Sequence, residues 1–211
     1  THNIINARNS YSKKIPLVYA STGSVYGKVE GICTEESPLN AVSQYGVNKR
    51  IAEGMVSNED NAVSFRFATG FGVSPSMRVN LLVNDFVYQA VTNNMLTIFQ
   101  ADFRRTFIHV RDMAKAFTMG FENMGKWKHK VYNAGANRLN WTKRELAEYV
   151  KEHTGCFVHY EEIGKDADQR DYEVSYDKLE SEGFSCDVDM KTGIQELIKV
   201  TPILQIRHQY S

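Results

Sequence analysis

Alternating strand and helix signals mark this chain as α/β, on three grounds. Short apolar runs alternate with amphipathic helical stretches along most of the 211 residues. The runs end at Gly, Ser, Thr and Asn clusters that break regular structure. A chain of this length with 42% hydrophobic residues can bury a large core of its own.

The elements follow in order. Ile4 to Tyr11 reads as the tail of a helix, and Pro16 to Ala20 as an apolar strand closed by a hydroxyl-rich turn from Ser21 to Ser24. A loop rich in turn formers leads to a helix from about Ser43 to Val56. Ala62 to Phe67 reads as a buried strand ending at the breakers Gly70 and Gly72. Leu81 to Val91 is a helix, Leu96 to Phe99 a short strand, Phe107 to Val110 a strand feeding a helix over Arg111 to Phe121, and Val131 to Ala134 another strand. Thr142 with Glu145 three residues on has capping-box spacing and opens a helix to about His153. Phe157 to Tyr160 then reads as a strand, and Tyr176 to Gly183 and Thr192 to Val200 as helices. There is no internal repeat.

Composition excludes several classes of function. With 25 Lys+Arg against 25 Asp+Glu, the chain lacks the basic excess of a general nucleic-acid binder, and Lys126, Lys128 and Lys130 read as a solvated turn. No apolar run approaches the ~18 residues of a membrane span. Cys33, Cys156 and Cys186 are odd in number and widely spaced, which suggests neither a disulfide framework nor a zinc cage and fits a reducing cytoplasm. The six histidines lack ligand spacing, so no metal site is expected; His109, inside an apolar run, reads as a packed histidine.

The chemistry is carried by Val18 to Glu53. On the helix from Ser43, Val47, Ile51 and Met55 form one apolar stripe, while Tyr45 and Lys49 share a nearly opposite face. A cation beside a phenol favours the phenolate, so such a pair can serve as a general base. By spacing alone the pair is uninformative: with 11 Tyr, a Tyr-x-x-x-Lys is expected about 0.7 times by chance. Context raises it, because a strand ending at Ala20, a Ser21-Thr22-Gly23-Ser24 turn, Val25-Tyr26-Gly27 and then the Tyr/Lys helix form a specific order.

The run VYASTGSVYG…TEESPLNAVSQYGVNKRIAEGMV closely resembles the extended short-chain dehydrogenase/reductase family, in particular its nucleotide-sugar 4-epimerases, and the likeness continues along almost the whole chain. It implies the C-terminal portion of a Rossmann-like doubly wound parallel sheet plus a smaller mixed α/β substrate lobe. Residues 1–72 and 105–136 would belong to the cofactor-binding domain, and 73–104 and 137–211 to the lobe that holds the nucleotide sugar. The resemblance implies a catalytic triad of Thr22, Tyr45 and Lys49, with Ser21, Tyr45 and Lys49 toward the cofactor. That cofactor would be NAD, with NADP left open, since the residue that chooses between them lies in earlier strands.

On the substrate side the resemblance implies Ser24; Thr69, where the family commonly has Asn; Asn80 in NLLVNDFV, toward the diphosphate; and Thr97, Ile98 and Phe99, where the base rests. It also implies Arg105 and Arg170 as two guanidinium forks for the diphosphate. The dehydratase and decarboxylase branches carry an acid just after the catalytic Thr; Gly23 and Ser24 stand there, which favours an epimerase or a simple ketoreductase. A homodimer through the first helix and the Tyr/Lys helix is a further implication, as is a preceding segment of about a hundred residues holding the glycine-rich pyrophosphate turn. Without that turn the 211-residue chain is expected to bind NAD poorly. A non-catalytic relative that keeps only the nucleotide-sugar site is the alternative.

Overall fold

The computed structural model describes residues 1–27, 29, 31–161 and 172–204. In chain order the elements are α1 (His2–Tyr11), β1 (Leu17–Thr22), β2 (Ile32–Cys33), α2 (Gln44–Ser57), β3 (Ala62–Phe67), β4 (Thr69–Phe71), α3 (Leu82–Asn93), β5 (Met95–Phe99) and β6 (Arg104–His109). They continue with α4 (Val110–Glu122), α5 (Met124–Trp127), β7 (Val131–Ala134), β8 (Asn140–Thr142), α6 (Lys143–Thr154), β9 (Phe157–Glu161), β10 (Glu173–Val174), α7 (Asp177–Glu180) and α8 (Met190–Val200). A 3-10 turn, Gly23–Val25, follows β1 directly.

The central sheet is parallel, in the order β1-β3-β7. Alternation along each strand sorts its side chains onto two helical layers. Leu17, Tyr19 and Ala62 pack with Ile5 of α1 and Val56 of α2 on one face. Phe65 and Phe67 meet Phe117 of α4 on the other, and Phe65 also meets Trp127 and Tyr132. Covered on both sides, β3 is buried at all six positions. Each large side chain withdrawn from water there contributes roughly 1.5–3 kcal/mol. The remaining strands form β4-β6-β8 and two short parallel pairs, β5 with β9 and β2 with β10.

Most elements fall where the sequence puts them, and the Thr142–Glu145 capping box is present with both of its bonds. Three expectations are corrected. The strand before α4 starts at Arg104 rather than Phe107, because Arg104 and Arg105 pair with Thr142 and Trp141 of β8. The helix expected over Tyr176 to Gly183 is only the single turn of α7: Gly183, at φ +93°, and the bond from Phe184 N–H to Leu179 O reverse the chain so that Phe184 is buried. Finally, the apolar stripe of α2 is not the face it buries. Ile51 and Met55 are exposed, and the sheet takes Gly46, Ala52, Glu53 and Val56. Close approach to β1 requires the small residues, and Arg66 of β3 draws Glu53 inward.

His109 is packed, as expected. Its ring is 1% exposed, its Nδ1 accepts from Arg111 N at 3.2 Å to cap α4, and its Nε2 lies 3.5 Å from a Glu196 carboxylate oxygen. Gly193 lies against it, where a Cβ would sit 3.1 Å from the ring. Burial, with help from Arg111, lowers the His109 pKa below 6.5 against the opposing pull of Glu196 and Asp112. The folded chain therefore binds fewer protons than the unfolded one below that value, so His109 contributes stability that is present above about pH 6.5 and lost as pH falls toward its folded pKa. Urea unfolding of wild type and His109→Asn, which keeps an acceptor for the Arg111 N–H, should show a flatter loss of stability from about pH 7 to 5 in the variant. Parallel slopes would remove His109 as the source.

Among the described residues no helix is long and apolar enough to cross a membrane, and no group of three or more His, Cys, Asp and Glu could hold a metal ion.

Candidate functional site

The site forms at the carboxyl end of β1, where a parallel sheet opens toward its loops. Leu17 N–H donates to Asn61 O of the β3 side, so alternate residues from Leu17 face β3 while Val18, Ala20 and Thr22 turn their backbone groups to the opposite edge. Among the described residues no strand pairs with that edge. The Ala20 carbonyl there accepts from Lys49 Nζ at 2.7 Å. Lys49 thus lies across the strand end, with its ammonium 5.0 Å from the Tyr19 ring centroid and 5.9 Å from that of Tyr45. Partial burial lowers its pKa from the ordinary lysine value. Tyr45, one helical turn earlier, is 56% exposed.

Thr22 ends β1 with its hydroxyl turned into the following bend: Oγ1 accepts from Ser24 N at 3.2 Å and donates to Ser24 Oγ at 3.2 Å. Both side chains are buried. Ser21 is 3% exposed, and its hydroxyl has no hydrogen-bond partner among the described residues. A buried hydroxyl left without a partner costs about 1–3 kcal/mol, a cost that a ligand's polar group would relieve.

Gly46 sets the distance between α2 and this turn. A Cβ at Gly46 would lie 2.7 Å from the Ser24 carbonyl oxygen and 3.1 Å from Ala41 Cβ. Backbone cannot yield as a flexible side chain can, so only glycine lets the first turn of α2, capped by Ser43, lie this close to Ser24. Gly46→Ala should push α2 off the turn and lower the thermal unfolding midpoint, and an unchanged midpoint would show that the spacing is not critical.

Deeper in, the same helix is fixed by a charge network. Glu53 receives Arg66 Nε at 3.1 and 3.2 Å and Nη2 at 2.7 Å, and both residues are about 95% buried. Arg66 Nη1 donates to Tyr26 OH and to Glu35 O, each at 3.1 Å, and Tyr26 OH donates to Asn133 Oδ1 at 2.5 Å. Burial pushes the Tyr26 phenol up to about 12, which keeps it a donor. Sequence reading misses this network, although Tyr45, Lys49 and Glu53 recur every four residues and so share one face of α2.

The residues expected on the substrate side gather elsewhere. Phe99 ends β5, with Ile98 buried and Thr97 exposed by strand alternation. Lys143, itself buried, donates Nζ to Phe99 O at 3.1 Å. Trp141, two residues before it, pairs with Arg105 across the β6–β8 ladder. Arg105 is 4% exposed and donates Nη1 to Arg104 O at 2.9 Å. Thr69 begins β4, half-buried. Asn80 is exposed in the turn before α3; the asparagine that is buried there is Asn84, which accepts from Gly72 N and donates to Arg78 O, each at 3.0 Å. Arg170 lies outside the described residues.

An ammonium bonded to the end of β1 thus lies within 5.9 Å of the Tyr45 ring centroid, and the Thr22 hydroxyl ends the same strand. The family model described as NAD dependent epimerase/dehydratase family matches residues 1–135. Over 190 residues the chain is 25% identical to a UDP-glucose 4-epimerase of Dictyostelium discoideum, covering 78% of this chain and 55% of that protein. Over 204 residues it is 26% identical to an ADP-L-glycero-D-manno-heptose-6-epimerase of Brachyspira hyodysenteriae, covering 89% and 64%. The solved structure of a Thermus thermophilus UDP-glucose 4-epimerase in complex with NAD superposes with a TM-score of 0.80 at 22% identity, covering 95% of this chain and 68% of that one. The chain therefore spans little more than half to about two thirds of the length of these relatives.

Proposed function

The chain belongs to the NAD dependent epimerase/dehydratase family, and on that premise we propose that the protein is a nucleotide-sugar 4-epimerase of the UDP-glucose/UDP-galactose type with Tyr45 as its general base. One observation carries the reading: Gly46 seats the start of α2 against the Ser24 carbonyl while Lys49 reaches the Ala20 carbonyl, which supports a site built from Tyr45, Lys49 and Thr22 at one strand end. The UDP-glucose 4-epimerases among its relatives give the same direction.

The residues fit the nicotinamide-ribose end of NAD. Ser21 has a buried hydroxyl without a partner among the described residues, and Lys49 brings a cation, so both suit ribose hydroxyls. NAD held there by Ser21 and Lys49 would supply a reversible hydride acceptor for sugar C4. Tyr45, as the general base, takes the proton of the C4 hydroxyl as the C4–O bond becomes a carbonyl, and gives it back when the hydroxyl re-forms. Thr22 donates a hydrogen bond to the reacting oxygen and fixes its direction. Lys49, whose ammonium lies 5.9 Å from the Tyr45 ring centroid, would hold the ribose. Ser24, Thr69, Asn80, Thr97, Ile98, Phe99, Arg105 and Arg170 make up the sugar-nucleotide side of this proposal.

The same reading divides the chain into 1–72 with 105–136 for the cofactor and 73–104 with 137–211 for the nucleotide sugar. The parallel sheet β1-β3-β7 within the first part and the β5–β9 pair within the second support that division. A homodimer through α1 and α2 goes with it, supported by the exposed Ile4, Ile51 and Met55, and so does residence in the cytoplasm. The test is direct: the protein is incubated with UDP-galactose and NAD, and UDP-glucose is followed. Interconversion without net NADH supports the reading, and NADH accumulation or release of a 4-keto-6-deoxy sugar would assign another reaction of the family.

A further inference from the structure

Gly23 follows Thr22 directly, and its surroundings come from two distant parts of the chain. A Cβ at Gly23 would lie 3.7 Å from the Phe67 carbonyl oxygen on one side and 3.2 Å from the hydroxyl of Tyr172 on the other, with the Tyr172 ring carbon Cε2 at 3.8 Å. Tyr172 is 8% exposed. It immediately precedes β10, which is held by pairing with β2, by Asn140 Nδ2 to Val174 O at 3.2 Å, and by Ser175 N to Cys33 O at 2.9 Å. The next residue, Glu173, meets Arg104 at 3.4 Å. One short segment therefore touches both the hydroxyl turn after β1 and the β6 strand that carries Arg105.

The direction of the Thr22 hydroxyl depends on the peptides of Gly23 and Ser24, since Oγ1 both accepts from Ser24 N and donates to Ser24 Oγ. Those peptides are bounded by β3 at Phe67, by α2 at Gly46, and by Tyr172. The first two belong to the same strand-helix-strand unit as Thr22. Among the atoms nearest a Cβ at Gly23, those of Tyr172 come from a distant part of the chain. We infer that Tyr172 is a positioning residue for the reaction proposed above: its phenol, seated against Gly23, holds the Thr22–Ser24 turn in the geometry that aims the Thr22 hydroxyl at the reacting oxygen. The inference rests on the epimerase reading for its kinetic consequence and on the contact alone for its structural one.

The test is a double-mutant cycle of Tyr172→Phe and Gly23→Ala. Phenylalanine keeps the ring contact and removes only the hydroxyl. Gly23→Ala places a methyl against that hydroxyl at a distance where the phenol must shift by a few tenths of an ångström. Each single variant should lower kcat about tenfold with KM held within about twofold, and should speed hydrogen exchange at the Ser24 amide. The double variant should be no worse than Tyr172→Phe, because without the hydroxyl the nearest atoms to the new methyl stand at ordinary contact distance. Multiplicative losses, or a Tyr172→Phe variant with unchanged kcat and unchanged Ser24 exchange, overturn the inference. If the wild type turns over no nucleotide sugar, the epimerase reading fails, and the exchange cycle on its own decides whether Tyr172 clamps the turn.

Discussion

Replacing Tyr45 with phenylalanine is expected to lower turnover of the nucleotide sugar by about 10²–10⁴-fold, the range typical of a lost general base. The expectation rests on geometry. The phenol is half-exposed at the first turn of α2, its ring centroid 5.9 Å from an ammonium bonded to the end of β1. Phenylalanine retains the ring beside Lys49 and removes only the acceptor for the proton, so circular dichroism and the unfolding midpoint should stay at wild-type values. Lys49→Met should also lower turnover, and in addition free the Ala20 carbonyl at the strand end. Full activity in Tyr45→Phe would remove this residue from the mechanism, whatever the fate of the family assignment.

The largest loss of stability is expected at Glu53. Glu53→Gln leaves the Arg66 guanidinium buried and charged without its carboxylate, and breaking one side of such a pair costs about 3–5 kcal/mol. The loss is not confined to the pair. Arg66 also donates to Tyr26, and Tyr26 to Asn133, whose backbone N–H is itself held by the Glu35 carboxylate at 2.7 Å. A loosened Glu53 therefore frees α2 from β3 and weakens the anchorage of β7 and of the loop at Glu35. Urea unfolding should show a lower midpoint with an unchanged m-value, and kcat should fall because Tyr45 and Lys49 ride on the same helix. Glu53→Leu with Arg66→Met, which removes both charges, should cost less than the sum of the single variants. A single-variant loss under about 0.5 kcal/mol would mean that the network is no stronger than a surface ion pair.

Features governed by local pattern are legible in the chain before it folds. Strand β3 and strand β7 have the bounds read from their sequence, because a strand covered on both faces is mostly apolar, with Ser64, Arg66 and Asn133 as buried polar exceptions. Helix α6 begins at Thr142 because a capping box satisfies its first N–H groups with residues three apart. The Thr22, Tyr45 and Lys49 set comes from the family resemblance, since a Tyr/Lys pair one helical turn apart is by spacing alone uninformative.

Other features arise only when distant segments meet. The face that α2 buries carries Glu53 and Gly46 rather than Ile51 and Met55, since a buried guanidinium on β3 and a close carbonyl on the hydroxyl turn outweigh the helix's own apolar stripe. Asn84 rather than Asn80 is buried beside Gly72, and Lys143 reaches Phe99 across 44 residues of sequence. Tyr172 meets Gly23 from the far end of the chain. Contacts of this kind join segments with no periodic relation to one another. They exist because packing must give each buried charge a partner and leave each close backbone approach free of a Cβ, and those two demands take their meaning from the assembled fold.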